Sequence, residues 1–477
     1  MGRGAGPREG ENRGRPSWIL PALAVFASAL LLRMPFLDWP LISDEGGYAY
    51  TAHWWGQGLT LYGSHLWFDR PQGIFLAYQL GMSLLGEETW AIRLWGALWA
   101  ASTAVVVLGL TRELLKESER GWMVPVLAGL LTAALAVQPG IEGFTANAEV
   151  FALLPATASA WMLLRRHWGL AGLLASAGFM LKPSAGSVVV LALVWLIRER
   201  ASWKEWAAFG LAALSLPLAG FLHGWATVGA GPYLHAVVGF RMGLPDTTGL
   251  GLWESVSDTL HVWLPPLVFG FLGLPAMSAR IRLFLGAWLL SAFLGMALGG
   301  NWFWHYFIQL VPPVAVAAAF GCRWLWSRGS MVTRWAAAFP LALTLALALP
   351  WALRAPERGA LELYGRPGYA LADDVAAYLV SRTREEDRIY VAFAEAEIYH
   401  LARRRSAFPY LFRLEVLHMP GAYPALLSMV SERRARYIFL LDSTPRELDP
   451  ENRFRTLLER GYVADTVFGG RPLYRRR

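Results

Sequence analysis

Two adjacent carboxylates, a glycine pair and a tyrosine, in Ser43-Asp44-Glu45-Gly46-Gly47-Tyr48, come directly after an apolar segment that ends at Pro35 and Pro40. If Ser43 caps a short helix there, Asp44 and Tyr48 share a face at i, i+4 spacing. A carboxylate so placed suits base catalysis, taking a proton from a hydroxyl nucleophile. Acids just past a helix exit also occur simply as solvated residues. A second cluster follows 25 residues on, Phe68-Asp69-Arg70-Pro71-Gln72. Arg70 offers a planar fork of donors that matches a phosphate, or it pairs with Asp69 in an ordinary turn. Pro71 fixes the chain beyond it.

Further polar groups stand at the ends of apolar segments. Arg33 and Arg93 either snorkel to the surface or neutralise the acidic cluster, since charges inside a membrane tend to pair. Asn147-Ala148-Glu149 opens one apolar segment, and Lys182, one of three lysines in the chain, closes another. Lys182 reads either as a snorkelling side chain or as a counter-charge to a phosphate. In Gly300-Asn301-Trp302-Phe303-Trp304-His305-Tyr306, the tryptophans fit an aromatic interface belt, whereas His305 and Tyr306 fit a site.

The elements that must position these groups follow from composition. The chain has 477 residues, 55% of them hydrophobic and only 16% charged, against about a quarter charged in an ordinary soluble protein. Of the 78 charges, 38 fall between Arg354 and the C-terminus. The first three quarters therefore read as lipid-embedded and the last quarter as water-soluble. Spans of roughly 20 mostly apolar residues are expected near 18–36, 90–110, 122–138, 150–164, 168–181, 186–197, 206–226, 260–277, 284–299, 306–321 and 335–353. Alternate links carry Arg112, Lys116 and Arg120; Arg165 and Arg166; Arg198, Arg200 and Lys204; Arg280 and Arg282; and Arg323, Arg328 and Arg334. The positive-inside rule makes these links and the basic N-terminus cytoplasmic, so eleven spans put the C-terminal region outside. All the candidate groups then lie at the outer face.

The same layout accounts for a pI of about 9.7 without nucleic acid as a partner. A single cysteine, Cys322, excludes an internal disulfide, and the first apolar segment lacks a convincing cleavage site and reads as a retained span. In the first outer loop the apolar stretch 73–85, thirteen residues, is too short to cross and reads as a helix lying on the membrane surface. A second outer loop is expected around 229–258. The tail alternates helical patterns (373–382, 423–434, 451–460) with strand-like runs (388–393, 437–441, 463–468), which points to a small α/β domain.

These motifs resemble those of the polyprenyl-phosphate-sugar-dependent glycosyltransferases, the group that includes the protein O-mannosyltransferases and the aminoarabinose transferase for lipid A. The matching pieces are Leu32-Arg33 through the Asp44–Tyr48 motif, Asp69-Arg70-Pro71-Gln72 and Ala91-Ile92-Arg93-Leu94. Asn147-Ala148-Glu149, Leu181-Lys182-Pro183, His305-Tyr306-Phe307 and Pro312-Pro313 follow in family order, over roughly residues 18–350. The resemblance implies a fold of the C-type membrane glycosyltransferases. The tail from about Arg354, read above as a small C-terminal α/β extracytoplasmic domain, is expected to lie outside the shared core. The whole reads as an α-helical polytopic membrane protein with about eleven transmembrane helices. Its parts would be a cytoplasmic tail (1–17), a transmembrane core (18–353) with a first outer loop (37–89), and the external domain (354–477).

It further implies an inverting transfer of a sugar from a polyprenyl-phosphate donor to a hydroxyl of a lipid, glycan or protein acceptor. Asp44 would be the general base, with Glu45 and Asp69 as supporting acids. Arg70, standing where the family has lysine in Lys-Pro-Pro, would bind the lipid phosphate together with Arg241, Lys182, His305 and Tyr306. Arg33, Arg93, Tyr48 and Glu149 would support the site. Gln72 replaces the second proline of that motif, which bears on the local backbone. The trio Asp44, Glu45 and Asp69 has the chemistry to take a divalent metal ion, so metal stays open, and the tail either holds acceptor or braces the outer loops. Two other classes compete. A transporter or lipid flippase calls for midplane charges and internal repeats, which the sequence lacks. A non-catalytic anchor leaves the charged clusters without a purpose.

Overall fold

The computed structural model describes residues 18–115, 121–244, 251–298, 300–365, 367–441 and 448–477. The 1–17 tail, and Lys116 and Arg120 of the first basic link, lie outside the described residues. Each expected apolar segment is a helix: Ile19–Arg33, Thr89–Leu114, Met123–Leu135, Ala148–Leu164, Trp168–Leu181, Val188–Arg198, Trp203–Val228, Leu252–Leu272, Ala279–Ala297, Val311–Trp326 and Met331–Ala352. Among the described residues, six such regions are long and apolar enough to cross a membrane. The shorter Ala148–Leu164 is buried along most of its length. The long Trp203–Val228 is mostly uncovered, and Leu211 and Leu214 on it are 73% and 65% exposed. Apolar surface of that extent, left bare on a helix of spanning length, is the face a lipid-embedded bundle turns to its solvent. The protein is a multi-pass membrane protein.

The helices run back and forth, so every second set of ends falls on one side of the bundle, and the chemistry-bearing residues gather there. Arg33 closes the first helix, Asn147 caps Ala148–Leu164 by accepting from the Ala148 amide at 2.7 Å, and Lys182 follows Trp168–Leu181. The first outer loop adds the helix Ser43–Gly56 and the surface helix Gln72–Leu85, the latter where the 73–85 stretch anticipates it. Two expectations need correction. Ser43 is not the cap of its helix: Ile42 precedes the first turn, its amide bonding to the Glu45 carboxylate at 2.9 Å. The Ser43 hydroxyl instead accepts from the Ala396 amide at 3.1 Å. The expected loop around 229–258 is largely helical where described, with Ala230–Leu234, a π-helical turn His235–Gly239, Phe240–Met242 and the start of Leu252–Leu272.

The tail forms a five-stranded sheet in the order β2-β1-β3-β5-β4. Its strands are β1 (Arg388–Val391), β2 (Arg405–Ser406), β3 (Tyr437–Phe439), β4 (Tyr462–Phe468) and β5 (Arg471–Arg476). β1 pairs in parallel with β2 and β3, while β5 runs antiparallel to both β3 and β4. The helix Pro367–Arg382 precedes β1, and Ala422–Ser431 connects β2 to β3. The three anticipated strands and three anticipated helices are present. β2 and β5 were not anticipated, since β2 has two residues and β5 is arginine-rich with only Leu473 fully buried.

This domain shares a core with the first outer loop. Leu41, Tyr48, Phe68 and Phe75 pack in one buried cluster with Val375, Ile398, Tyr399 and Leu411. The rings of Tyr50 and Tyr399 lie 5.5 Å apart, and the Tyr50 hydroxyl accepts from the Ser406 amide at 2.9 Å. The glycine pair permits the approach: a Cβ at Gly46 would lie 2.1 Å from Glu397 Cα, and one at Gly47 would lie 2.8 Å from the Phe412 ring. Gly46→Ala should therefore cost about 3 kcal/mol through overpacking, visible as a lower melting temperature and faster proteolysis of the tail.

Glu397 is buried at this contact; burial, then the neighbouring Glu395, holds its carboxyl well above the usual range. A raised carboxyl stabilises fully below its unfolded pKa, and that contribution is lost as pH rises through the native one. Tail docking should weaken as pH climbs past the ordinary glutamate range, and Glu397→Gln should flatten that slope in proteolysis measured against pH.

Candidate active site

The first turn of Ser43–Gly56 is fixed through Glu45 rather than Asp44. The Glu45 carboxylate is fully buried, accepts from the Ile42 amide at 2.9 Å and the Ala146 amide at 2.5 Å, and pairs with Arg93 at 2.9 Å. Arg93 also donates to the Pro40 carbonyl at 2.7 Å. A carboxylate with two backbone donors and a guanidinium is satisfied in a dry place where an unpaired charge would not be tolerated. Asp44, one residue earlier, is only partly buried and accepts a long hydrogen bond, 3.4 Å, from the Asn147 amide group.

Facing it is the 68–72 cluster. Pro71 precedes the surface helix, and Gln72 ties that helix to the bundle by donating to the Gly220 carbonyl at 2.9 Å. The chain just before is thereby held, and Asp69 sits between two arginines: Arg70 at 2.9 Å and Arg241, whose guanidinium bonds the same oxygen. Burial by itself would push the Asp69 carboxyl up. The Arg241 and Arg70 charges more than reverse this and hold it at about 2. At neutral pH it is an anion shared by two cations.

Asp44, Asp69, Arg70, Arg241, His305 and Tyr306 line one cavity of about 120 Å³. Six of the sequence-predicted residues thus converge from four separate stretches of chain. The remaining walls are Phe68, Phe303 and, from the tail, Phe412, Leu414 and Glu415. Lys182 and Glu149 stand just beyond, lining a separate cavity of about 30 Å³. They pair at 2.6 Å, and the Lys182 ammonium lies 4.7 Å from the centre of the Tyr306 ring. His305 connects the two cavities, with Nδ1 2.8 Å from Glu142 and Nε2 3.8 Å from Glu149.

The other expected residues stand apart from the cavity. Arg33 neither snorkels nor meets the acidic cluster: it is buried and donates to the carbonyls of Ala136 (2.8 Å), Gly143, Phe144 (3.3 Å) and Thr145 (3.4 Å). It thus holds the turn that presents Asn147. Arg93 is the partner of Glu45, and Tyr48 packs its ring against Phe68 and Tyr78. The acidic trio does not act as one cation site, since Glu45 and Asp69 are each bound to arginine. Among the described residues, no group of three or more His, Cys, Asp or Glu side chains is arranged to hold a metal ion.

Sequence reasoning missed Glu142 and Glu415. Glu415 is 3% exposed, accepts from the Phe412 amide at 2.7 Å and lines the cavity. Burial, then the nearby Asp69, holds its carboxyl well above the usual range. Its only local signal is an acid in the third position of a short helix (Arg413–His418), and the sequence does not say what that helix faces.

Comparison with known proteins agrees with the resemblance drawn from the motifs. The sequence model of the family described as dolichyl-phosphate-mannose-protein mannosyltransferase matches residues 69–224. Among solved structures, ArnT from Cupriavidus metallidurans in the apo state matches with a TM-score of 0.69 at 13% identity, covering 96% of this chain and 97% of that one. The same protein bound to undecaprenyl phosphate gives 0.64 with the same identity and coverage. At that identity the likeness is one of fold, and it extends through the tail as well as the bundle. No curated protein sequence matches.

The site's geometry makes Glu45 a structural acid, which stability measurements can check. Arg93→Ala leaves a buried carboxylate unpaired and should cost about 3–5 kcal/mol. The double variant Arg93→Met, Glu45→Gln should recover most of the loss in melting temperature, because the charge and its partner leave together.

Proposed function

We propose that the protein is an inverting glycosyltransferase that moves a sugar from a polyprenyl-phosphate donor to an acceptor hydroxyl at the outer membrane face. The observation that carries this reading is the single cavity in which a carboxylate without an ion-pair partner among the described residues, Asp44, faces a pair of guanidiniums, Arg70 and Arg241. Its place at the ends of the helices is where a lipid phosphate would sit with its hydrocarbon chain in the bilayer. The match to ArnT, whose structure is described as bound to undecaprenyl phosphate, supports the same donor class. The N-terminus is assigned to the cytoplasm and the tail to the outside, from the basic links on the opposite side of the bundle.

In this mechanism Asp44 accepts the proton of the acceptor hydroxyl as its oxygen attacks the anomeric carbon. The bond between that carbon and the phosphate oxygen breaks, and its electron pair stays on the departing lipid phosphate. Arg70 and Arg241 absorb the developing charge in a partly dry cavity, where fixed cations are more effective than in water. Asp69 orients both guanidiniums and, with its low pKa, is a poor proton acceptor. That leaves Asp44 as the base. Tyr306 and His305 close the far wall, and Lys182, held by Glu149, adds positive charge behind them.

Ionisable groups of a transporter are expected along a path near the midplane, whereas here they collect at one end of the bundle. The test is transfer of labelled sugar from a panel of polyprenyl-phosphate sugars by the purified protein. Wild type should turn over one of these donors. Asp44→Asn should bind that donor yet transfer at least about 100-fold more slowly, and Arg70→Ala should lose donor affinity as well as rate. Transfer by Asp44→Asn at the wild-type rate would remove Asp44 from the mechanism.

A further inference from the structure

A larger cavity, about 380 Å³, lies where the first outer loop meets the tail. Its charged lining is two arginines, Arg388 at the start of β1 and Arg434 after the helix Ala422–Ser431, and His65 and Ser64 from the outer loop add polar groups. Phe408 and Tyr410 supply ring surface. Among the described residues no acidic side chain lines it. Arg434 pairs with Glu432 at 2.6 Å at its exposed edge, and no ion pair engages Arg388 among the described residues. Guanidinium forks recognise phosphate and carboxylate. Rings beside them offer an apolar face to a sugar, the pattern of a site that fixes a ligand through a few polar groups on apolar walls.

This cavity and the catalytic one share walls from two stretches of chain. His65 lines the outer cavity and Phe68 the inner; Tyr410 lines the outer and Phe412 the inner. Between them the Trp67 and Tyr410 rings meet at 5.6 Å and the Phe68 and Phe412 rings at 5.4 Å. Three residues of chain span at most about 10 Å, so His65 on the outer wall and Phe68 on the inner wall lie no farther apart than that, a length within the span of a short oligosaccharide. The catalytic cavity, at about 120 Å³, leaves the rest of any extended acceptor outside it, and the outer cavity is next along the wall.

We propose that this outer cavity is the acceptor site and that it takes an anionic saccharide, one carrying a phosphate or carboxylate, whose far hydroxyl enters the catalytic cavity. The assignment rests on the glycosyl-transfer reading and, of the two roles open to the tail, takes that of acceptor holder.

Calorimetric titration of the full-length protein in lipid nanodiscs tests it, with lactose, lactose bearing one phosphate, digalacturonate and inorganic phosphate as probes. Both anionic disaccharides should bind at least about tenfold more tightly than lactose, and the preference should shrink with added salt. Arg388→Ala with Arg434→Ala should abolish the preference, and the corresponding lysine pair should restore part of it, which separates lost charge from lost folding. Asp44→Asn should bind as wild type does. Equal affinity for neutral and anionic disaccharides, or an undiminished preference in an alanine pair of unchanged melting temperature, overturns the proposal. Inorganic phosphate binding as tightly as the phosphorylated disaccharide overturns the saccharide part of it. Charge-dependent binding without transfer from any polyprenyl-phosphate donor would sink the transferase reading and leave an anionic-saccharide site; transfer without charge preference would do the reverse.

Discussion

The buried pair between Arg93 and Glu45 joins three parts of the chain at once: the helix Thr89–Leu114, the first outer loop, and the segment leading to Asn147. Two charges withdrawn from water gain little from each other unless their remaining hydrogen-bonding capacity is also met. Here the carboxylate takes two backbone amides, and the guanidinium adds the Pro40 carbonyl and lies 5.0 Å from the centre of the Phe144 ring, though among the described residues its Nε and Nη1 have no hydrogen-bond partner. What the pair secures is geometry. Asp44 is adjacent in sequence to Glu45 and bonded to Asn147, so its position follows from a neighbour that does no chemistry. Arg33 works alongside, collecting the carbonyls of the same 136–145 turn.

The tail depends on that anchoring and in turn completes the site. Its helix Glu397–Ala402 packs on the face of Ser43–Gly56 that Gly46 leaves open, and Phe412 reaches the ring of Phe68 because Gly47 has no side chain. The glycine pair is therefore a docking surface placed within the catalytic motif. One wall of the catalytic cavity belongs to the tail, so the cavity exists in this form only when the two parts are joined. A domain boundary drawn at 353 divides the chain by composition, yet the hydrophobic core that supports the site runs across it.

Eleven helices were legible in the sequence because lipid demands long apolar runs and basic links mark alternate ends. The convergence of Asp44, Asp69, Arg70, Arg241, His305 and Tyr306 was legible too, since alternation alone puts those helix ends on one side. Partner choice was not. Local pattern says that Arg33 and Arg93 are unusual where they stand, but only packing decides that one meets carbonyls and the other Glu45. Ser43 looks like a cap, yet a tail amide more than 350 residues away claims its hydroxyl. β5 was missed because strand patterns register a buried face, and its arginines report the solvent side. Glu415 was invisible for the same reason, as its burial is supplied by another part of the chain.

The two aspartates of the cavity show how one kind of side chain acquires two duties. Asp69 is buried between two guanidiniums, which keeps it ionised and makes it a weak base; its use is to hold Arg70 and Arg241 side by side. Asp44, partly buried, has the amide of Asn147 rather than a cation as its hydrogen-bond partner. No strong partner has to be displaced before it takes a proton. Were the arginines to pair with Asp44 instead, the base of the proposed mechanism would be quenched and its phosphate-binding pair turned away. The separation also suits the membrane. On the proposed mechanism the cations would meet a phosphate at the bilayer surface, and the base would meet a hydroxyl that comes from water past the tail. Donor and acceptor would then approach one cavity from two solvents, with the arginine pair on the donor's side and Asp44 on the acceptor's.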